Sequence, residues 1–508
     1  MTIAGNLFSR FHAQFERHST KAALSLPDAH ELSYAELDSR SAQIANLFDS
    51  LGVQPGERVT VQVPKSPEAL CLYLACLRGG FVFHPLNTGY QRAELAFFLG
   101  NAEPALVVCA QEKHDLFEEL CTAHGIQNLL TLNGDGTGTL AEQRQQQSRL
   151  QQPYAASEDS PAALLYSSGT TGVPKGIVLS HQNLLSNGET LVEIWGFKEN
   201  DVLLHALPIY HVHGLFVAIS CALLSGATMR WLDVFDLEQV LTDLPHCSVM
   251  MGVPTYYTRL LGDSRLSPDL CRSLRVFISG SAPLLMETFN EFEARTGHRI
   301  LERYGMSEAG MITSNPLDGE RRPGTVGFPL PQVEIRIVDD GGQLCPKGSI
   351  GGVQVRGPNV FSGYWKLPDK TAEDFSDDGF FRTGDLGSID EAGYLSIVGR
   401  AKDLIISGGL NVYPKEVELV IDELPGILES AVIGVPHEDF GEAVIAVVVR
   451  AGAATECASE DELIETLKRE ISGFKVPKRV VFIEELPRNA MGKVQKNRLR
   501  ERYASLLH

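Results

Sequence analysis

A loop rich in glycine and hydroxyl groups, SSGTTGVPKG, spans residues 167–176 and contains residue types that bind phosphate. It is not a Walker A loop, because that motif ends in Gly-Lys-Ser/Thr, whereas Lys175 here precedes its glycine. Hydroxyls, glycines that permit close backbone approach and one lysine charge suit a flap over a polyphosphate. Taken alone, the pattern fits a polar hairpin equally well. The residues predicted to contact phosphate are Ser167, Ser168, Gly169, Thr170, Thr171, Gly172 and Lys175.

Apolar runs flank this loop, AALLYS before it and KGIVLSH after it. Both runs are typical of buried strands, so the loop is predicted to connect two strands. A P-loop fold is thereby excluded, because its glycine-rich loop leads into a helix.

Other motifs follow in a fixed order along the chain: YHVHG (210–214), SGSAPL (279–284), ERYGMSE (302–308), FRTGDLG (381–387), GRAKDLIISGGLNVYP (399–414) and PRNAMGKVQKN (487–497). Together they resemble the adenylate-forming superfamily of acyl-CoA synthetases, luciferases and peptide-synthetase adenylation domains. The resemblance covers nearly the whole chain. It implies that a carboxylate attacks the α-phosphate of ATP, releasing pyrophosphate, and that the thiol of CoA then takes the acyl group from the adenylate.

The resemblance assigns several motifs to the nucleotide. Tyr304 would stack on adenine, and Asp385 would accept hydrogen bonds from both ribose hydroxyls with Arg400 beside it. Glu308 and Thr170 would hold Mg²⁺, a hard cation that prefers oxygen ligands. The further residues implied to contact ATP are Gly280, Ser281, Ala282, Pro283, Glu302, Arg303, Gly305, Met306 and Ser307.

Lys493 is the implied catalytic residue for adenylation, because a cation that touches both the carboxylate and the α-phosphate cancels their repulsion. Without the resemblance, KVQKNRLRERY would indicate a solvated helix face. Lys402 matches the hinge about which relatives rotate their small domain, and Ser407, Gly408 and Gly409 would line the tunnel for the CoA thiol. Since its amine moves between poses, Lys493 is also a candidate for reversible action by a lysine acetyltransferase and deacetylase.

Arg303 indicates which acid is activated. Luciferase-like and coumarate-activating relatives have glycine before the motif tyrosine, whereas this chain reads Leu-Glu-Arg-Tyr. An arginine beside the acyl pocket shortens it and favours a substrate with a second, distal carboxylate.

The surrounding segments HALPIYHVHGLFVA, MGVPTYYTRLL, VFISGSAPLL and TSNPLDGERRPGTVG resemble malonyl-CoA synthetases, which also take methylmalonate. This resemblance implies that His211 lies near the reacting carboxylate, and that Arg303 lies near the distal one with Ser279 or Ser281. Several members of that family have a lysine in a K-F-D triplet where this chain has Val234. The choice between malonate, methylmalonate and another short diacid therefore stays open, and Arg230, four residues away, is a residue that could compensate.

Three alternatives remain open from the sequence. One is a synthetase for medium-chain or aromatic acids, and another is an adenylation module that loads a carrier protein. The third is a nucleotide sensor without catalysis, which is disfavoured because Lys493, Glu308, Asp385 and Lys402 are all present.

The amino-acid composition limits the classes of partner that the protein can bind. Forty-four Lys and Arg against 64 Asp and Glu give a formal net charge of −20, a field that repels nucleic acid and anionic membranes. The 14 histidines and nine scattered cysteines form no zinc-binding spacing. With no signal-peptide pattern and no apolar run long enough for a membrane span, we expect a cytoplasmic protein that acts on malonate, ATP and CoA.

The elements that must position these residues follow from periodicity. Helical stretches alternate with short apolar runs from about Tyr34 to Val240, which predicts parallel sheets covered by helices. Closely spaced strands predict a β-rich subdomain over about 323–400, and the remaining residues predict a small mobile α+β domain. We therefore predict an α/β protein with an N-terminal domain over 1–400 and a C-terminal domain over 401–508.

Overall fold

The computed structural model describes residues 5–167, 174–408, 410–437, 440–451, 458–489 and 492–507. The residues predicted above to bind substrates that lie outside this part of the chain are Ser168, Gly169, Thr170, Thr171, Gly172 and Gly409.

Several helices begin at residues whose side chains cap the helix. Ser33 accepts a hydrogen bond from the Glu36 amide while the Glu36 carboxylate accepts one from the Ser33 amide, a capping box that starts a helix at Tyr34. In chain order the helices are α1 Leu7–Arg17, α2 Tyr34–Ser50, α3 Pro67–Gly79, α4 Arg92–Ala102, α5 His114–His124, α6 Thr139–Arg144, α7 His181–Ile194, α8 Ile219–Ser225, α9 Leu237–Asp243, α10 Pro254–Leu261, α11 Met286–Thr296, α12 Pro368–Asp374, α13 Pro414–Asp422, α14 Glu460–Glu470 and α15 Lys496–Tyr503.

The strands are short and mostly buried. In chain order they are β1 Ala22–Ser25, β2 Glu31–Ser33, β3 Arg58–Gln62, β4 Val82–Pro85, β5 Leu106–Cys109, β6 Asn128–Thr131, β7 Pro161–Ser167, β8 Lys175–Ser180, β9 Val202–His205, β10 Thr228–Trp231, β11 Val249–Gly252, β12 Val276–Ser279, β13 Leu301–Met306, β14 Gly310–Ser314, β15 Phe328–Pro329, β16 Glu334–Val338, β17 Gly351–Arg356, β18 Gly363–Tyr364, β19 Phe381–Ile389, β20 Leu395–Arg400, β21 Ile405–Ser407, β22 Leu410–Val412, β23 Ile427–His437, β24 Gly441–Arg450 and β25 Arg479–Ile483.

Two large sheets form the centre of the protein. One has the order β15-β14-β13-β12-β11-β9-β10-β1-β2 and the other β18-β8-β7-β4-β3-β5-β6, with parallel pairing through the middle of each. Strands of both sheets contribute to one continuous apolar core, with Val59 from β3 and Leu203 from β9 both fully buried. The predicted α/β class is therefore confirmed. The pairing of β7 with β8 is antiparallel, so the first motif does connect two strands.

Two smaller sheets follow. Strands β16-β17-β19-β20 form an antiparallel sheet, and β22-β21-β24-β23 with β25 form a sheet that carries α13, α14 and α15. An apolar cluster of its own, which includes Val417, Val444 and Leu467, fills the space between this last sheet and helices α13 and α14. The segment that contains Lys493 lies between β25 and α15.

The topology gathers the predicted site at one edge. Strands β9, β11 and β12 run parallel, so their carboxyl ends at His205, Gly252 and Ser279 face the same side. Ligands in open α/β sheets bind at this edge. The segments that leave β9 and β12 contain His211 and Gly280, and β13 carries Arg303 beside them.

No helix in the described ranges is both long and apolar enough to cross a bilayer. Among the described cysteines, none is in a disulfide, and all but Cys345 are buried.

Candidate active site

The loop after β12 is shaped by a close contact with Arg303. A Cβ atom at Gly280 would lie 2.5 Å from the guanidinium carbon of Arg303, so no larger residue fits there without displacing the arginine. Ser281 has φ of 72°, in the left-handed region of backbone conformation. Residues other than glycine adopt this conformation only where the surrounding structure holds them in it. The amide of Leu284 donates to Glu302 Oε1 at 3.1 Å, which fixes the far end of the loop. Burial raises the pKa of Glu302 to about 7.

Asp385 is the centre of a hydrogen-bonded group. Asp385 is 4 % exposed and pairs in register with Arg400 of the neighbouring strand, and Arg400 Nε lies 2.7 Å from Asp385 Oδ1. The Tyr304 hydroxyl donates to the other carboxylate oxygen. Burial and the Asp385 charge raise the pKa of Tyr304 well above its ordinary value, so this hydroxyl keeps its proton. The structure thus brings together the residues predicted for adenine and ribose.

Glu308 lies buried next to this group. Burial raises its pKa, and the neighbouring Arg400 and Lys175 oppose the rise. Among the described residues, no side chain forms an ion pair with the Glu308 carboxylate. A buried carboxylate of this kind is the type of ligand that a hard divalent cation prefers, so the residues present fit a Mg²⁺ site.

Lys175 is held at the base of the first motif. Its ammonium group lies 3.1 Å from the Tyr364 hydroxyl, 3.4 Å from Asp374 Oδ2 and 4.2 Å from the centre of the Tyr364 ring. Ser167 is its register partner on β7. Neither Tyr364 nor Asp374 was predicted, because both are distant in sequence and neither lies in a recognisable motif.

The acid pocket contains polar atoms that have no hydrogen-bond partner. Arg303 is 3 % exposed, and within the described chain it forms no ion pair. Burial lowers the pKa of Arg303 to about 10, so the guanidinium is still charged at neutral pH. Leaving a buried cation unpaired is costly, which favours an anionic ligand here. The buried atoms without partners in this pocket are His211 Nδ1, His213 Nε2, Ser279 Oγ, Arg303 Nε and Arg303 Nη2.

The two pocket histidines are neutral. Burial, with Lys493 and then Arg303 as the main charged neighbours, lowers the pKa of His211 to about 3. The pKa of His213 is lowered well below its ordinary value by burial and then by Arg303. Of this pair only His211 was predicted as a site residue, although the spacing in YHVHG offered both.

Lys493 reaches the same cleft from the C-terminal part of the chain. Its side chain keeps access to solvent, yet the surrounding protein lowers its pKa, chiefly through lost hydration. The charged groups that act on it are Arg400, Asp385, Glu308 and Arg303, all from the N-terminal part. The Lys493 amine therefore lies within electrostatic range of both the nucleotide residues and the acid pocket.

The predicted hinge and the predicted thiol tunnel make contacts with the C-terminal part of the chain. Lys402 is exposed in a 3₁₀ turn over Ala401–Asp403, and Asp403 pairs with Arg500 of α15 at 2.6 Å. Ser407 is buried opposite Gly441, and the Gly408 amide donates to the Phe440 carbonyl at 2.9 Å. These hydrogen bonds remain within the C-terminal sheet.

Arg230 does not replace the missing K-F-D lysine. Its Nη1 donates to Ser25 Oγ at 3.0 Å and to the Leu26 carbonyl at 2.6 Å, and its Nη2 pairs with Asp243 at 2.9 Å. The guanidinium is thus anchored to the end of β1 and to α9.

Comparison with protein families identifies the class. The AMP-binding enzyme family matches residues 11–365, and the AMP-binding enzyme C-terminal domain matches residues 416–493. The chain therefore belongs to the AMP-binding enzyme family and is an acid–thiol ligase that forms an adenylate and joins a carboxylic acid to CoA.

Particular relatives are similar over nearly the full length. ATP-bound MatB from Rhodopseudomonas palustris is 50% identical, with a TM-score of 0.97 over 99% of this chain and 100% of that one. A malonate–CoA ligase from Arabidopsis thaliana is 33% identical over 98% of this chain and 89% of its own length. A sulfoacetate–CoA ligase from Cupriavidus necator is 34% identical over 94% of each chain.

Proposed function

We propose that this ligase joins malonate, and as a second substrate methylmalonate, to CoA through a malonyl-adenylate, giving malonyl-CoA, AMP and pyrophosphate. The observation that carries the proposal is the buried, charged and unpaired Arg303 in the acid pocket. A guanidinium with both Nε and Nη2 free offers two parallel hydrogen bonds to one carboxylate. Similarity to a malonate–CoA ligase supports the same substrate.

In adenylation, Lys493 brings positive charge to the point where the reacting carboxylate approaches the α-phosphate. Both groups are anions, so a cation in contact with both lowers the barrier by reducing their repulsion. His211 is neutral and has Lys493 as its main charged neighbour, so it donates or accepts a hydrogen bond near the reacting carboxylate without competing for the charge. Arg303 holds the distal carboxylate, which keeps the reacting one aimed at the phosphate.

Asp385, Arg400 and Tyr304 bind the nucleoside in this proposal, and the first motif binds the phosphates. Glu308 and Thr170 hold Mg²⁺, which when bound neutralises charge on the phosphate oxygens. For the second half of the reaction, the unit over 401–508 rotates against the unit over 1–400 about Lys402. The segment of Ser407, Gly408 and Gly409 then lines the path of the CoA thiol, where glycine permits close approach. Acetylation of Lys493 would remove its charge and stop adenylation.

Sulfoacetate is a second candidate substrate. Its sulfonate group is an anion that an unpaired guanidinium can also bind, and a sulfoacetate–CoA ligase is 34% identical to this chain.

A panel of acids with ATP, Mg²⁺ and CoA tests the proposal. We expect AMP release to be fastest with malonate and methylmalonate, and slow with acetate, succinate and coumarate. Sulfoacetate as the preferred acid would support the second candidate. Equal rates with acetate and malonate would contradict the selection of a distal anion, and failure of CoA beside a working carrier protein would indicate a carrier-loading enzyme.

A further inference from the structure

His213 stands out in the acid pocket because one of its ring nitrogens has a partner and the other does not. The residue is 1 % exposed, and its Nδ1 lies 3.2 Å from Ser281 Oγ. Its Nε2 is buried and makes no hydrogen bond. Buried polar side-chain atoms are normally satisfied, so an unpaired nitrogen inside a ligand pocket indicates a position for a ligand atom.

The location of His213 relates it to Arg303. Ser281, its partner, directly follows Gly280, against which the Arg303 guanidinium packs. Among the charged groups near His213, Arg303 lowers the pKa of His213 most. Among those near His211, Lys493 lowers the pKa of His211 most, and Arg303 comes second. His213 therefore lies on the side of the pocket formed by Ser281, Gly280 and Arg303, where the distal group of the substrate is proposed to bind.

The hydrogen-bond roles at His213 follow from this arrangement. The Ser281 hydroxyl can donate to Nδ1, and the neutral ring then carries its hydrogen on Nε2. An anion at Nε2 selects this tautomer, because the other one would direct a lone pair at the negative charge.

The backbone around His213 is fixed by a separate contact. His205 Nε2 lies 3.0 Å from the Gly214 carbonyl oxygen, and a Cβ at Gly214 would overlap the Pro208 carbonyl. The turn that begins at His213 is thus anchored to the end of β9, which fixes the backbone that carries the ring.

We propose that His213 is a specificity-determining residue, whose neutral imidazole donates an Nε2–H hydrogen bond to the distal anionic group of the substrate alongside Arg303. This inference rests on the proposed function and adds a second, uncharged donor to the recognition of the distal group. The two donors differ in kind: Arg303 is a charged donor, and His213 is a neutral donor whose single N–H group orients the distal group.

The test compares malonate with isovalerate, in which an isopropyl group of nearly the same shape replaces the distal carboxylate and has no hydrogen-bond acceptor. The ratio of kcat/KM for the two acids is measured by AMP release for the native protein, His213→Phe and His213→Gln. Phe retains a planar ring and removes the donor, whereas Gln retains an N–H at a similar distance from the backbone. We expect His213→Phe to reduce the malonate preference by about tenfold or more and His213→Gln to retain most of it.

The outcomes separate the inference from the function on which it rests. If the native protein itself fails to prefer malonate, the proposed function is wrong. If the native protein prefers malonate and His213→Phe keeps the full preference, or His213→Gln loses as much as Phe, the inference on His213 is wrong. An unchanged KM for ATP shows that a variant is folded, and His213→Asn, whose shorter amide cannot reach the Nε2 position, replaces Phe if that variant does not fold.

Discussion

The nucleotide residues and the acid pocket belong to the same cleft, but their buried charges differ: those of the nucleotide residues are paired within the protein, and that of the acid pocket is not. Asp385 is paired with Arg400 and accepts from Tyr304, so its charge is balanced inside the protein. Arg303 is equally buried and forms no ion pair with any described residue. A site that is internally balanced is rigid before any ligand arrives and is suited to a ligand common to the whole family. A site with an unbalanced charge selects its ligand, because only an anion relieves the cost.

The largest effect is expected at Lys493, which lies within electrostatic range of both regions. Lys493→Ala removes the cation that joins the two reacting anions, and adenylation should fall by on the order of a hundredfold or more, or about 3 kcal/mol. Pyrophosphate exchange measures this step alone. Thioester formation from supplied malonyl-adenylate should remain largely intact, and an equal loss in both steps would contradict the assignment of Lys493 to adenylation.

The next largest effect is expected from a substitution in the acid pocket that leaves the nucleotide residues unchanged. Arg303→Gly should lower kcat/KM for malonate by roughly a hundredfold, because the distal carboxylate would enter a buried pocket without a cation. The KM for ATP should change little. Arg303→Lys is the matched control, which keeps the charge but loses the two parallel donors and should give an intermediate value. An unchanged preference for malonate over acetate in Arg303→Gly would refute the role of this residue.

The converse substitution changes the nucleotide region and leaves the acid pocket intact. Asp385→Asn removes the charged acceptor and leaves Arg400 without its partner, so the KM for ATP should rise by about tenfold. The ratio of malonate to acetate activity should not move, since Arg303 is untouched. A shift of that ratio comparable with the change in KM would show that the two regions are not separate.

A further effect, which does not involve the substrates, concerns stability at acidic pH. The pKa of His211 is lowered to about 3, so the unfolded chain takes up a proton below about pH 6.5 that the folded protein does not bind. The contribution of His211 to the free energy of unfolding is therefore fully present above pH 6.5. It decreases by about 1.4 kcal/mol per pH unit as the pH decreases toward 3. His211→Gln should flatten the dependence of Tm on pH between 6 and 5, which thermal melts can measure. An unchanged slope would show that His211 is protonated in the folded protein.

Much of this arrangement was predictable from sequence because its signals are local. The apolar runs beside the first motif predicted the β7–β8 hairpin, and the order of the motifs predicted the family. The pairing of Lys175 with Asp374, 199 residues away, depends on tertiary packing and left no local signal. The same is true of His213, since the YHVHG spacing offers two histidines and only the packed structure shows which nitrogen lacks a partner.

The central claim is that the unpaired Arg303 binds the second anionic end of the substrate. A crystal structure of the protein with a non-hydrolysable malonyl-adenylate analogue measures this directly. The account predicts that the distal carboxylate lies within about 3 Å of both Nε and Nη2 of Arg303. A distal carboxylate turned toward solvent or toward Lys493, with Arg303 still unpaired, would contradict it.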